Sequence, residues 1–270
     1  MNVFLWKRKM KNHPFHLVDH RPWPATGAIG SLLFVSGLVR WMHGFETYLL
    51  LSKIGLVIIA LTIRQWWRDV RREATMLGKH TRQVELGLRM GMLLFIVSEI
   101  CFFGSFFWAY FHSRLGPRRI VCGDCNSYTV RTINPFHVPL LNTLLLLGRG
   151  SRITWVHIAV LANDWVEASL GFAITVILGA AFTGLQLLEY TQCPFSISDS
   201  VYGSSFYLAT GFHGLHVIIG TLFITVIYWR HLNGHFSARH HFGLEARAWY
   251  WHFVDVIWLF LFICIYWWSY

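Results

Sequence analysis

"MLLFIVSEICFFGSFFWAYFH", Met92 to His112, decides the fold. At about 1.5 Å per residue a helix of this stretch crosses a hydrocarbon layer roughly 30 Å thick. Yet Glu99 sits within it. A carboxylate in hydrocarbon is costly, so this residue needs a partner, a proton or a polar cleft. No Lys or Arg lies within one helical turn of it, and Arg89 is the nearest on the same helix. Met92, Phe95, Phe102, Phe103 and Phe106 fall near its face by helical spacing. The expectation is a neutral Glu99 that donates a hydrogen bond; the alternative is a proton antenna.

The rest of the chain repeats the apolar pattern. Of 270 residues, 55% are hydrophobic and 13% charged, with mean hydropathy +0.45. Soluble domains carry about a quarter charged residues. Seven apolar segments fall at roughly 23–41, 45–67, 86–111, 139–161, 170–190, 206–229 and 249–268. Backbone polar groups in lipid must be satisfied within the segment, so these are helices. There is no alternation of the β-barrel type. The expected architecture is an all-α membrane protein, one membrane domain over 1–270. Helices 1–2 (about 23–67) are separated from helices 3–7 (about 86–268) by a polar segment at about 68–85.

The net charge of +10 comes mostly from residues flanking the apolar blocks. That pattern sets topology and meets lipid headgroups; it does not point to nucleic acid. Lys7, Arg8, Lys9, Lys11, Arg21, Arg68, Arg71, Arg72, Lys79, Arg82, Arg230, Arg239 and Arg247 fall on one side. Arg40, Arg114, Arg118, Arg119 and Arg131 fall on the other. The bias places the N-terminus inside and the C-terminus outside. The basic start, "MNVFLWKRKMKNHPFHLVDHRPWP", lacks a signal-type apolar core and reads as a retained flanking segment. In the last segment, Trp249, Tyr250 and Trp251 mark one interface and Tyr266, Trp267, Trp268 and Tyr270 the other.

Fifteen histidines raise a metal or haem reading. His213 and His216 share a helix face, as do His252 and Asp255. His235, His240 and His241 cluster near the inside surface. The spacing permits ligation, but interhelical hydrogen bonds are the favoured reading. Cys122 and Cys125 form a lone C-x-x-C, weak for zinc; free thiols are favoured, with a disulfide or shared metal as minor options. Cys101 and Cys264 read as small core residues. Around "RQWWRDVRREATMLGKH", Arg64 to His80, Trp66 and Trp67 stand at a helix end beside a basic run suited to phosphate. Generic anchoring is an equal reading. Arg89 and Arg230 complete such a site. A transporter using Glu99 as a relay lacks the repeats or broken helices that transporters show.

Six stretches carry a family resemblance: "RPWPATGAIG" (21–30), "QWWRDVRRE" (65–73), "LRMGMLLFIVSEICFFGSFFWAYFHS" (88–113), "PLLNT" (139–143), "SDSVYGSSFYLATGFHGLHVIIG" (198–220) and "HHFGLEARAWYWHFVDVIWLFLFICIYWW" (240–268). Together the sequence resembles subunit III of haem–copper cytochrome c oxidase, mitochondrial type. The resemblance implies seven helices in a V of two plus five around a lipid-filled cleft. It implies a non-redox core subunit of respiratory complex IV, the enzyme that passes electrons from cytochrome c to oxygen and pumps protons. Haem a, haem a3 and copper then lie on partner subunits, with no cofactor and no catalytic centre on this chain. Partners would be subunits I and II, accessory subunits and phospholipids, in the mitochondrial inner membrane. The N-terminus would face the matrix and the C-terminus the intermembrane space. The chain would support proton uptake and stabilise the complex during turnover. Lipid contacts carried over by motif are Trp66, Arg72, Glu73, His80, Arg89, Arg230, His235 and His240, with Glu99 facing the cleft. The departures are the 116–135 loop, loop 4–5 at "LANDWVEAS", and Arg149 and Arg152 in helix 4, one face expected to meet protein, water or lipid phosphate.

Overall fold

The computed structural model describes residues 14–115, 132–234 and 242–270. Seven helices among them are long and apolar enough to cross a membrane. They are α1 (Trp23–Met42), α2 (Tyr48–Thr75), α3 (Arg82–Leu115), α4 (Val138–Leu161), α5 (Trp165–Gln192), α6 (Val201–Leu232) and α7 (Phe242–Leu261). The last continues as a π-helix, Phe262–Trp267. Every apolar segment read from the sequence is a helix, and most run past the expected ends. Hydropathy marks the part suited to hydrocarbon, whereas the helical backbone continues into the headgroup layer. Trp66 and Trp67 therefore lie inside α2, more than two turns before its end at Thr75, and not at a helix terminus.

Local signals start and stop these helices. Pro24 and Pro139 sit in the first turns of α1 and α4, where a missing N–H costs nothing. The Asp164 side chain accepts from the Glu167 N–H to cap α5. Ser200 does the same for Gly203 at the start of α6. Asn163, at φ 59°, makes the tight turn between α4 and α5; Asn tolerates the left-handed region better than most residues.

The chain divides into two compact units, one ending at Leu88 and the other beginning at Arg89. In the first, α1 packs on α2 through small residues. Gly37 lies against the Ser52 backbone and Gly55 against the Phe34 backbone, too close for any Cβ. Without a hydrophobic force between helices in lipid, such close approach supplies the packing energy. Thr62 donates to Thr26 at 3.1 Å, and the Trp23 indole to Asp69 at 2.9 Å.

In the second unit, α4–α7 enclose two apolar clusters. One centres on Phe182, Phe206, Trp258 and Tyr266, the other on Phe172, Ile224 and Trp251. Leu94, Leu144, Ile177 and Leu222 point outward, while Asn142, Arg149, Gln186, Glu189, His213, Arg247 and Asp255 are buried. A lipid-facing protein tolerates this inversion because its exterior needs no water-binding groups.

Three expectations need correction. Tyr250, Trp251 and Tyr266 are buried in the bundle and present no ring to its surface, whereas Trp267, Trp268 and Tyr270 are exposed. Arg247 is no surface charge: it is buried, and its guanidinium donates to the Gly220 carbonyl. Cys101 is exposed on α3 and is not a core residue. Helical period alone does not say which face of an all-apolar helix turns inward.

Candidate functional site

A pocket of about 790 Å³ lies wholly within the first unit. Its apolar wall comes from Trp66, Val70, Val84 and Leu88. Its polar end holds His16, Arg21, Glu73 and His80. Glu73, on the last turns of α2, is buried and ion-paired to Arg21, which precedes α1. The His16 Nε2 stands 3.7 Å from the same carboxylate. The Glu73 hydrogen bond raises the Arg21 pKa above its ordinary value. His80, between α2 and α3, is held below its ordinary value by desolvation and then by nearby His16. Their rings are 6.1 Å apart. An amphipathic pocket with one charged end suits a molecule with a charged head and an apolar body.

Of the sequence-derived residues, Trp66, Glu73 and His80 come together in this pocket, and Arg72 is exposed outside its lining. The sequence marks Arg21 only as a topological charge. Its partner is 52 residues away, so no local spacing revealed the pair.

In the second unit, Arg89 and Arg230 both reach the first turn of α7. Arg89 pairs with Glu245 at 3.0 Å, and Arg230 Nη1 lies 3.5 Å from where a Cβ on Gly243 would stand. His235 and His240, with His241, Cys122, Cys125 and most of the 116–135 loop, lie outside the described residues.

Glu99 has a partner that sequence reasoning missed. His216 of α6 places Nε2 2.8 Å from Glu99 Oε2. The other ring nitrogen, Nδ1, is 2.6 Å from the Phe212 carbonyl. A carbonyl only accepts, so Nδ1 carries a hydrogen. The Glu99–His216 contact then holds one further proton. Either the carboxylic acid donates to Nε2, or an imidazolium donates to the carboxylate. Both forms are net neutral, which answers how the apolar stretch keeps its acid. Phe103 packs on the imidazole with centroids 5.1 Å apart.

Arg149 is fully buried, its guanidinium 4.3 Å from the Trp251 ring centroid and 5.4 Å from that of Phe182. It thus meets protein, as the helix-4 reading expects of that face. Arg152 is half-buried and lies 4.8 Å over the Trp155 ring. His213 is buried against Trp258, yet neither ring nitrogen has a hydrogen-bond partner, against the expectation of an interhelical bond. Among the described residues no group of three or more His, Cys, Asp or Glu is placed to hold a metal ion.

Fold and site together define a multi-pass α-helical membrane protein with an amphipathic pocket near one helix end. A family model described as cytochrome c oxidase subunit III matches residues 13–270. Cytochrome c oxidase subunit 3 of Drosophila yakuba is 56% identical over 258 residues, 96% of this chain and 98% of the relative. That of Patiria pectinifera is 56% identical over 257 residues, 95% and 98% of the two chains. That of Heterololigo bleekeri is 53% identical over 262 residues, 96% and 100%. The chain belongs to the cytochrome c oxidase subunit III family.

Proposed function

We propose that this chain is the non-redox, lipid-holding core subunit of cytochrome c oxidase in the mitochondrial inner membrane. Electron transfer from cytochrome c to oxygen, with its haem a, haem a3 and copper, belongs to partner subunits; subunits I and II are the expected neighbours. This chain stabilises the complex in turnover and supports proton uptake, with its N-terminus on the matrix side and its C-terminus on the intermembrane side.

The observation that carries the lipid reading is the charged end of the pocket of about 790 Å³. Arg21 and His80 supply donors for a phosphate, Glu73 accepts from an ammonium, and Trp66, Val70 and Leu88 line the path for an acyl chain. Arg89 and Arg230 at the start of α7 form a second basic place for a headgroup, beside Glu245. Arg72, His235 and His240 remain headgroup contacts on the strength of the family motifs.

The test is the visible spectrum and subunit composition of a gently solubilised complex containing this chain. The expected result is haem absorbance with the complex and none with the isolated chain. Soret absorbance that travels with this polypeptide alone would instead make it a haem protein.

A further inference from the structure

Helix α4 runs from Val138 to Leu161, and Arg152 lies about 4 Å along the axis from its midpoint. The guanidinium rests 4.8 Å over the Trp155 ring and makes no hydrogen bond or ion pair with the described residues. An arginine at that depth is costly in bare hydrocarbon, and one ring face replaces little of its hydration. The chain has no acid to spare for it. Of 13 acidic residues, only Glu99 and Asp255 stand near the middle of a described span. Glu99 is held by His216. Asp255 Oδ2 lies 2.6 Å from where a Cβ on Gly150 would stand, and Gly150 and Arg152 are about 200° apart around α4. Asp124, the one acid outside the described residues, precedes α4, whose first residue is about 20 Å of helix from Arg152.

The surroundings select the source of the missing anion. Lipid phosphates lie beyond the hydrocarbon, about 15 Å from the centre of a bilayer. Trp155 holds the guanidinium within one helical turn of its own backbone, short of that layer. Beside Arg152, Ser151, Trp155 and Ile158 are exposed at the spacing of one helix face. Arg and Trp side by side are enriched where protein surfaces meet. Gly148 and Ser151 on this face are small enough to let a second helix approach, and a Cβ on Gly148 would meet nothing within 4 Å.

We propose that this face of α4 docks a membrane-spanning helix of a neighbouring oxidase subunit, and that a carboxylate on that helix pairs with Arg152. The inference rests on the reading of the chain as an oxidase subunit. The pair forms away from water, where a forked guanidinium–carboxylate contact is strong and either charge alone is costly. It also sets the depth at which the two helices meet, because the acid must lie level with Arg152. Arg149, three residues earlier, does not compete, since it turns to Trp251 inside the bundle.

The structure of the intact, detergent-solubilised oxidase containing this chain tests the pair. The expected result is a carboxylate oxygen of another chain within about 3.2 Å of an Arg152 nitrogen. A lipid phosphate, water alone or bare acyl chains at that place overturns the proposal. Absence of this chain from the oxidase defeats the earlier reading instead. In Arg152→Leu complexes that assemble, the neighbour should dissociate at least about tenfold faster in detergent, and Arg152→Lys should restore most of the difference; equal rates for wild type and Arg152→Leu also overturn it.

Discussion

Glu99 and His216 show what a single residue contributes to a membrane helix. The acid was visible in the sequence because one charge stands out in an apolar run. Its partner was not, because the pair spans 117 residues and histidines are scattered through the chain. Arg21 and Glu73 repeat that lesson at 52 residues. Glu99→Gln removes the titrating group and keeps the size and an amide for His216. Near-normal electron transfer and proton pumping are expected in this variant, and a large loss of pumping would instead make Glu99 a proton antenna. Infrared difference spectra reveal which of the two neutral forms holds the shared proton: a protonated-carboxyl band lost in Glu99→Gln marks the acid form. His80 gives a pH dependence. Burial, then His16, holds its pKa below the ordinary imidazole value of about 6.5, so the fold favours neutral His80. A depressed pKa gives stability that is complete above the ordinary value and is lost as pH falls below it toward the folded value. Because the ring is partly exposed, the loss stays below about 1 kcal/mol. Thermal unfolding of the complex should show a smaller drop between about pH 7.5 and 5.5 for His80→Gln than for wild type; equal drops would exclude this role.

Helix ends and helix contacts were less legible than helix existence. Apolar length gave all seven spans, but α2 runs to Thr75 and α6 starts at Val201, outside the hydropathy windows. Nor does hydropathy show a π-helix. At the end of α7 the Cys264 carbonyl accepts from the Tyr110 hydroxyl at 2.9 Å, and the Ile265 carbonyl from Tyr202 at 3.1 Å. Two tyrosines from α3 and α6 thus satisfy carbonyls at a helix terminus, where intrahelical donors run out. Tyr202→Phe strips the Ile265 carbonyl of that donor and should cost about 1–3 kcal/mol, read as a lower unfolding temperature of the complex. The α1–α2 contact is more demanding. Gly55→Leu drives a side chain into the Phe34 backbone and should destabilise by at least about 1–3 kcal/mol, visible as loss of assembled complex. Gly104→Leu, where a Cβ meets nothing within 4 Å, is the matched control and should assemble normally.

At the scale of the whole molecule the protein is apolar outside and holds charged and polar groups within its apolar core, and composition announced the first half of that. Six motifs spread from Arg21 to Trp268 made the family legible before any coordinate did. The buried charges were not legible, because Arg149, Arg247 and Asp255 look in sequence like interface charges or strays. Burying them is tolerable only with neighbours such as Trp251 and the Gly220 carbonyl, which come from other turns and other helices. The expected orientation is checked by labelling: a cysteine placed beside Lys79 should react from the matrix side, and one beside Arg40 from the opposite side, and the reverse pattern would invert the topology. The central claim is that this chain holds phospholipid in its first unit. Gly87 lines that pocket, and a Cβ there meets nothing within 4 Å, so Gly87→Leu fills the space without breaking the Arg21–Glu73 pair. The direct measurement is tightly retained phospholipid per oxidase, by mass spectrometry after detergent extraction, in wild type and Gly87→Leu. The account predicts the loss of about one phospholipid per complex with haem content unchanged; identical lipid content in the two would contradict it.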